Sequence, residues 1–240
     1  MFEKKSLKEI FMKRTFLFLA VALFIVTGIS AQTKNNGRAF TDSLMQDTCE
    51  FTTTGRNTYF ILEPGYQLTL EDKAGGRLVI TVLNETKKIG NVETRVIEEN
   101  ESKNGKTVEV SRNFFAFCRQ TSSVYYFGEE VDIYKDGKIA NHEGAWIAGG
   151  KNKAGIFSPG LVLLGARFYT EIAPGVAMDR MEVVSMSETK TTPAGTFSNC
   201  LKIEETTDLD AKDKEFKFFA PGIGIIQDGD LLLTKYGFVK

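Results

Sequence analysis

Residues 77–117 read RLVITVLNETKKIGNVETRVIEENESKNGKTVEVSRNFFAF, three β-rich runs separated by the turn dipeptides Gly90-Asn91 and Asn104-Gly105. Asn-Gly and Asp-Gly suit two-residue hairpin turns, because both central residues adopt a positive φ at little cost. Asp136-Gly137 and Asp228-Gly229 indicate two further chain reversals. Four such signals between β-rich runs, without long helical periodicity, predict an antiparallel meander.

The predicted fold class is therefore all-β: a curved sheet or a partly open β-barrel or sandwich. We expect a single β domain over residues 58–240, preceded by an N-terminal lead-in over residues 32–57. A chain of this length can bury a core without disulfides. The one helix candidate is short and covers Thr41 to Asp47.

Residues 143–165, EGAWIAGGKNKAGIFSPGLVLLG, interrupt this pattern with six glycines and one proline among large apolar residues. The segment has no clear period of two or of 3.6. Long irregular loops in compact domains are often lids or binding loops. We expect this glycine-rich loop to close one end of the sheet, either as packing or as a lid.

The N-terminus has the pattern of a secretory signal peptide. Basic residues precede the apolar run 16–26, and small residues follow at Gly28, Ser30 and Ala31. The apolar run is shorter than the ~20 residues that cross a bilayer. We expect cleavage near Ala31 and export to the periplasm or the medium, and an uncleaved anchor is the alternative. No transmembrane segment is expected in the mature chain.

The charge balance argues against nucleic-acid binding. Residues 1–31 contain five basic and two acidic side chains of the totals of 30 and 31, so cleavage changes the formal net charge from −1 to −4. A mildly acidic chain without a basic block lacks the positive surface that nucleic acid requires. The expected partners are an apolar small molecule or an envelope protein.

The three cysteines, Cys49, Cys118 and Cys200, allow at most one intramolecular disulfide. We favour Cys49–Cys118, because Cys118 ends an apolar strand and Cys49 lies in the lead-in, which a disulfide would fix. The alternative is three buried thiols, since free cysteine is among the most buried residue types.

The hairpin at Asp136-Gly137 suggests a metal site. Counting outward from a two-residue loop places four oxygen-bearing side chains on one face: Glu130, Asp132, Asn141 and Glu143. Carboxylate and amide oxygens suit calcium, and the opposed like charges require compensation. The alternative is a solvated polar face. Apart from calcium, no cofactor is expected.

The one histidine, His142, falls on the opposite face of this hairpin, away from those carboxylates. A general base needs a proton partner within hydrogen-bonding reach. A half-buried sheet histidine is therefore predicted, and no catalytic residue is assigned.

Aromatic residues suggest a ligand pocket under the glycine-rich loop. Its candidate lining residues are Tyr126, Trp146, Ile147, Phe157 and Phe168. A closed aromatic core explains the same residues without a ligand.

A pair of carboxylates is a candidate for hydrolysis. Glu171 and Glu182 flank the Ala173-Pro174-Gly175 turn and are predicted to be cross-strand neighbours. Acidic residues at exposed strand positions are the ordinary alternative.

Two phrases, TTPAGTFSNCLKIEETT (191–207) and KFFAPGIGIIQDGD (217–230), resemble an uncharacterised family of exported bacterial β-rich proteins. The resemblance covers roughly residues 48 to 238. Related groups are distantly similar to the Lol-type lipoprotein-carrier half-barrels, a curved sheet around an apolar groove. The resemblance implies such a fold and supplies no catalytic residues.

The sequence thus predicts an exported, non-catalytic binding or carrier module for an apolar ligand or an envelope component. Two alternatives remain: a structural or protein-interaction module with a closed core, and a carboxylate-dependent hydrolase that uses Glu171, Glu182 or the Glu130/Glu143 group.

Overall fold

A computed structural model describes residues 39–239, and β-strands dominate that range. The expected helix at Thr41 to Asp47 is wrong: between residues 39 and 239 the helical structure is one 3₁₀ turn, Gln46–Thr48. The strands are β1 (Phe51–Thr52), β2 (Gly55–Asn57), β3 (Phe60–Leu62), β4 (Tyr66–Glu71), β5 (Gly76–Ile89), β6 (Val92–Lys103), β7 (Lys106–Cys118), β8 (Val124–Lys135), β9 (Lys138–Asn141), β10 (Trp146–Ile147), β11 (Lys153–Ser158), β12 (Arg167–Tyr169), β13 (Glu171–Ile172), β14 (Asp179–Thr192), β15 (Gly195–Thr207), β16 (Lys214–Ala220), β17 (Gly224–Asp228) and β18 (Leu231–Phe238).

Thirteen strands lie side by side in one antiparallel, nearly closed sheet. Their order is β12-β14-β15-β16-β17-β18-β4-β5-β6-β7-β8-β11-β13, and β1, β9 and β10 pair along β7 and β8. The strands β2 and β3 form a separate two-stranded hairpin. The predicted all-β, antiparallel, barrel-like fold is confirmed.

The hairpin turns lie where the dipeptides predict them. Asn104 and Gly105 have φ values of 51° and 74°, and Asp136 and Gly137 have φ values of 53° and 75°. These are the left-handed conformations that such dipeptides tolerate. The last predicted turn is displaced by one residue, because Asp228 still belongs to β17 and the turn is at Gly229-Asp230.

The two edges of the sheet meet at a seam. The edge strands β12 and β13 are consecutive in the chain, and one residue, Thr170, separates them. Before it the chain pairs with β14, and after it the chain pairs with β11. The amide nitrogen and the Oγ1 of Thr170 both donate to the carbonyl oxygen of Asp179, at 2.9 Å each. The chain therefore bridges the seam covalently where the ladder of hydrogen bonds is incomplete.

One end of the sheet is spanned by the β2–β3 hairpin. The Nδ2 of Asn57 donates to the carbonyl oxygen of Ser122 (3.1 Å) in the β7–β8 turn. The amide of Gly222, in the β16–β17 turn, donates to the carbonyl oxygen of Thr58 (2.7 Å). The expected domain boundary at residue 58 thus falls inside this hairpin, and part of the lead-in belongs to the β domain.

The glycine-rich segment is more regular than expected. It contains β10 and β11, which pair with β8, so the prediction of an irregular loop is wrong for Trp146–Ile147 and Lys153–Ser158. A Cβ at Gly155 would lie 2.2 Å from the carbonyl carbon of Thr170, so only glycine allows β11 to approach the seam. The remaining residues, 159–166, form a loop at the spanned end, where the amide of Gly160 donates to Ser123 Oγ (3.1 Å).

A disulfide joins Cys49 to Cys118 and fixes the N-terminal segment to the end of β7. This is the pairing that we favoured from the sequence. Cys200 is buried and free. The signal-peptide prediction concerns residues 1–31, which lie outside the described residues.

Candidate functional site

Acidic side chains line the interior of the sheet in the half that lies away from the β2–β3 hairpin. They come from β6, β7 and β8 on one side and from β13 to β17 on the other, and most of them are enclosed and interact with one another. We call this region the acidic chamber; its members are Glu99, Glu101, Glu109, Glu129, Glu171, Asp179, Glu205, Glu215 and Asp228, together with Lys217.

The acidic chamber is enclosed by the sheet, and its side chains nevertheless retain some contact with solvent. The side chain of Lys217 is 19% exposed and that of Glu205 is 15% exposed, although protein atoms surround both. The side chains of Glu99 and Glu101 are likewise half-buried, so part of their surface is exposed to solvent. These charged side chains are therefore partly accessible to solvent and do not belong to the close-packed core.

On the β15–β17 side, one lysine neutralises the carboxylates. Glu205 on β15 lies directly opposite Glu215 on β16, an arrangement that destabilises a sheet unless a cation compensates. The Nζ of Lys217 lies 2.9 Å from Glu205 and 3.3 Å from Glu215, and it is 3.6 Å from Asp228. These carboxylates raise the pKa of Lys217 well above its usual value in spite of burial. The lysine therefore stays charged.

On the β6–β7 side, no cation directly contacts the acids within residues 39–239, although the charge of Lys217 lowers the pKa of Glu99 and of Glu101. Glu101 lies directly opposite Glu109, and Glu99 precedes Glu101 on the same face of β6. Within residues 39–239, none of these three side chains has a hydrogen-bond or ion-pair partner. We call these three residues the β6–β7 acidic cluster.

Burial and mutual repulsion raise the pKa values of the glutamates in the acidic chamber. Burial, and then the charge of Glu101, raise the pKa of Glu99 to about 8. The pKa of Glu109 rises to about 7 for the same two reasons. Burial raises the pKa of Glu129 and of Glu205 to about 7, even though Lys217 lowers the pKa of Glu205. Glu99, Glu109, Glu129 and Glu205 thus hold protons near neutral pH.

Near the seam, a carboxyl pair joins the two edges of the sheet. Glu171 belongs to β13 and hydrogen-bonds Asp179 on β14, and the indole nitrogen of Trp146 donates to Glu171 Oε2 (2.7 Å). Glu171 is 8% exposed. Burial and the charge of Asp179 raise its pKa well above the usual value.

The expected apolar pocket is a packed aromatic cluster. The ring of Tyr126 stacks on Phe115 (4.7 Å between centroids) and meets Trp146 edge-on (5.5 Å), and Phe157 contacts both Phe115 and Tyr126. Phe168 is buried in another part of the core, and the side chain of Ile147 is exposed. The five predicted lining residues therefore do not surround one pocket, since the aromatic rings fill one another's space.

The predicted calcium site is not assembled, because the hairpin has a different register. Ile133 pairs with Asn141, and a bulge at Ala140 shifts the strand by one residue. Asp132 contacts His142, which lies at the surface (2.9 Å), and this corrects the prediction that His142 lies away from the carboxylates on a half-buried face. Between residues 39 and 239, no group of three or more His, Cys, Asp or Glu is placed to hold a metal ion.

The other two acids of the predicted calcium site, Glu130 and Glu143, make different contacts. Glu130 forms an ion pair with Lys87. The amide nitrogen of the exposed Glu143 donates to Asn141 Oδ1 (3.0 Å).

The predicted Glu171/Glu182 pair is also wrong. Glu182 pairs with Arg167 in the sheet and binds its guanidinium (3.1 Å). Glu171 pairs with Ala154 on β11, on the other side of the seam, and its carboxyl partner is Asp179. The turn is longer than expected, so β13 ends at Ile172 and β14 begins at Asp179.

Comparison of the chain with protein-family models, with curated proteins and with solved structures gives no match. Across residues 39–239, no helix has the length and apolar character needed to cross a membrane. The interpretation of the acidic chamber therefore rests on its own geometry.

Proposed function

We propose that this protein is an exported, non-catalytic binding module that encloses a small cationic ligand in the acidic chamber. The observation that carries the proposal is the interior lining, in which one lysine and all of the acidic side chains except the buried Glu171 retain contact with solvent. Interiors built only for stability are close-packed and seldom contain unpaired ionisable groups.

The chemistry of the lining supports a charged ligand rather than the apolar ligand expected from the sequence. The aromatic rings of Tyr126, Trp146 and Phe157 pack against one another. The groups that remain accessible are carboxyl groups, whose ionised form a cation stabilises.

Export is supported by two independent features. The N-terminal basic, apolar and small-residue pattern is that of a signal peptide. The Cys49–Cys118 disulfide is of a kind that persists in oxidising compartments.

Binding is favoured over hydrolysis because the candidate carboxylates are engaged. Glu182 and Glu130 form ion pairs with Arg167 and Lys87. Glu171 is hydrogen-bonded to Trp146 and Asp179 at the seam.

Native mass spectrometry tests this function. The complete chain, with its N-terminal segment, is expressed in a bacterium, and the exported protein is purified without added ligand. We expect an additional small mass that is lost when the protein is unfolded. A bare polypeptide mass, together with no thermal stabilisation by a panel of inorganic and organic cations, would contradict the proposal.

A further inference from the structure

The first residues that the structure describes, 39–49, cross the seam of the sheet. Thr41 forms a main-chain bridge with Phe168 on β12, and two hydrogen bonds of 2.9 and 3.1 Å flank this bridge. Three residues later, the carbonyl oxygen of Leu44 accepts a hydrogen bond from the hydroxyl of Tyr125 on β8 (2.6 Å). The strand β12 lies on one side of the seam, and β8 and β11 lie on the other. This segment therefore connects the two sides, and we call it the strap.

The two ends of the strap are fixed in different ways. At its start, the ring of Phe40 lies against the guanidinium groups of Arg167 and Arg180, whose Cζ atoms are 4.0 and 4.4 Å from the ring centroid. At its end, Cys49 forms the disulfide with Cys118 at the end of β7. One end is thus held by noncovalent contacts and the other by a covalent bond.

The middle of the strap buries little surface. Among residues 39–49, Leu44 is buried, and the others are partly or fully exposed. The side-chain amide of Gln46 donates to the carbonyl oxygen of Ala154 on β11. Segments with few buried apolar contacts open locally at low cost in free energy. The closed position of the strap therefore depends on its ends, and the disulfide is the covalent one.

The disulfide can be approached from solvent on the side of Cys49. Cys49 is half-buried, whereas Cys118 is completely buried. An open cavity of about 390 Å³ lies beside Cys49, and the rings of Phe51 and Phe127 contribute to its lining. A thiolate attacks the sulfur that it can reach. A reductant that enters this cavity therefore attacks Cys49, and Cys118 is the leaving group.

We propose that the Cys49–Cys118 disulfide is a redox switch, whose reduction by a dithiol releases the strap and opens the seam to solvent. One thiolate of the dithiol attacks Cys49 and forms a mixed disulfide, while Cys118 leaves as a thiolate. The second thiol of the dithiol then attacks its own sulfur in the mixed disulfide, so the reductant leaves as a disulfide. The two protons of the dithiol pass to Cys49 and Cys118. Release of the strap requires no ligand in the acidic chamber.

Hydrogen–deuterium exchange of the purified protein, measured by mass spectrometry before and after treatment with dithiothreitol, tests the switch. We expect exchange in the strap and in β11 to β13 to become about tenfold faster or more after reduction. The strands β18, β4 and β5, which lie far from both edges of the sheet, should keep their exchange rates. The variant C49S/C118S should show the faster exchange with and without dithiothreitol.

A second variant tests the other end of the strap without changing a cysteine. Phe40→Ala removes the ring between the two guanidinium groups, so the strap should open more often. We expect dithiothreitol to reduce its disulfide about two- to fivefold faster than that of the wild-type protein, as measured by trapping of the released thiols. Phe238→Ala is the control, because Phe238 is an exposed phenylalanine on β18, and its rate should equal that of the wild-type protein.

Two results would overturn the switch. The first is unchanged exchange in the strap and in β11 to β13 after complete reduction. The second is an equal increase in every strand, because reduction would then unfold the whole protein rather than release the strap. Equal rates of reduction in Phe40→Ala and Phe238→Ala would overturn the role of Phe40 in holding the strap.

Discussion

Glu101 on β6 lies directly opposite Glu109 on β7, inside the sheet, and no cation between residues 39 and 239 directly contacts either carboxyl group. Directly opposed like charges destabilise an antiparallel pair. The equivalent pair on the other side of the acidic chamber, Glu205 and Glu215, has Lys217 as its cation. The two opposed glutamate pairs therefore differ in whether a lysine directly contacts them.

The free energy of unfolding should fall as the pH rises from about 4.5 to about 8. The pKa of Glu99 is about 8 in the folded protein and 4.5 for an unperturbed side chain, so the unfolded chain loses this proton first. Raising the pH through this window therefore favours unfolding, by at most about 1.4 kcal/mol per pH unit for each such group. The raised pKa of Lys217 acts only above 10.5 and does not oppose this trend.

Urea unfolding of the wild-type protein and of E99Q, between pH 5 and pH 8, measures this dependence. The variant lacks one of the titrating groups, so its stability should vary less steeply. A wild-type stability that rises throughout this window would contradict the account.

Lys217→Met should destabilise the protein by about 3–5 kcal/mol at neutral pH, because it leaves several enclosed carboxylates without their cation. The loss should shrink at pH 5, because the pKa of Glu205 is about 7 and this carboxyl group is protonated at pH 5. Lys214→Met is the control on the same strand: Lys214 binds Glu204 (2.7 Å), but its side chain is 50% exposed, so the loss should stay below about 1 kcal/mol.

A second experiment measures the effect of an added alkylamine on the thermal stability of the same variant. If the space vacated by the lysine accepts an ammonium group, propylamine should raise the thermal midpoint of Lys217→Met and leave that of Lys214→Met unchanged. Equal effects on the two variants would show that the amine acts nonspecifically.

The fluorescence of Trp146 should report the ionisation of Glu171. Trp146 is the one tryptophan in the chain, and its indole nitrogen donates to Glu171 Oε2 at 2.7 Å. Because burial and Asp179 hold the pKa of Glu171 well above its usual value, the emission should titrate above the ordinary range of a glutamate. The titration should vanish in E171Q and persist in the control E130Q. A wild-type emission that titrates in the ordinary range of a glutamate, or a titration that persists unchanged in E171Q, would refute the role given to this pair.

Reduction of the Cys49–Cys118 disulfide should cost about 2–5 kcal/mol, since the bond closes a loop between residues separated by 69 positions. The double variant C49S/C118S should unfold at lower urea than the wild-type protein and should be insensitive to reductant. Cys200→Ser is the control for substitution of a cysteine, because it leaves the disulfide intact. An unchanged urea midpoint in C49S/C118S would show that the disulfide contributes nothing to stability.

Much of the fold is predictable because its turns are local. Asn104-Gly105 and Asp136-Gly137 require positive φ values that few other dipeptides tolerate, so the hairpins follow from short stretches of sequence. The bulge at Ala140 is not predictable in this way, and it removes the expected calcium site by shifting the register.

The acidic chamber was not predicted, because strand periodicity does not distinguish inside from outside when both faces are polar. Glu98 and Glu99 lie on opposite faces of β6, and only closure of the sheet turns one of them inward. A usable signal exists: Ile97 and Phe115 are apolar residues on the faces that carry Glu99 and Glu109. Counting outward from the Asn104-Gly105 turn would have paired Glu101 with Val108, because it misses the bulge that places Glu101 opposite Glu109.

The most direct measurement is calorimetric titration of the purified protein with 1,4-diaminobutane near pH 7.5, in two buffers that differ in ionisation enthalpy. We predict that binding releases protons. The ammonium groups favour the ionised forms of Glu109 and Glu99, whose pKa values are about 7 and about 8. The observed enthalpy should therefore depend on the buffer, and E101Q/E109Q should lose both the binding and the proton release. A binding enthalpy that is the same in both buffers, or no binding at all, would contradict the claim that the acidic chamber holds the ligand.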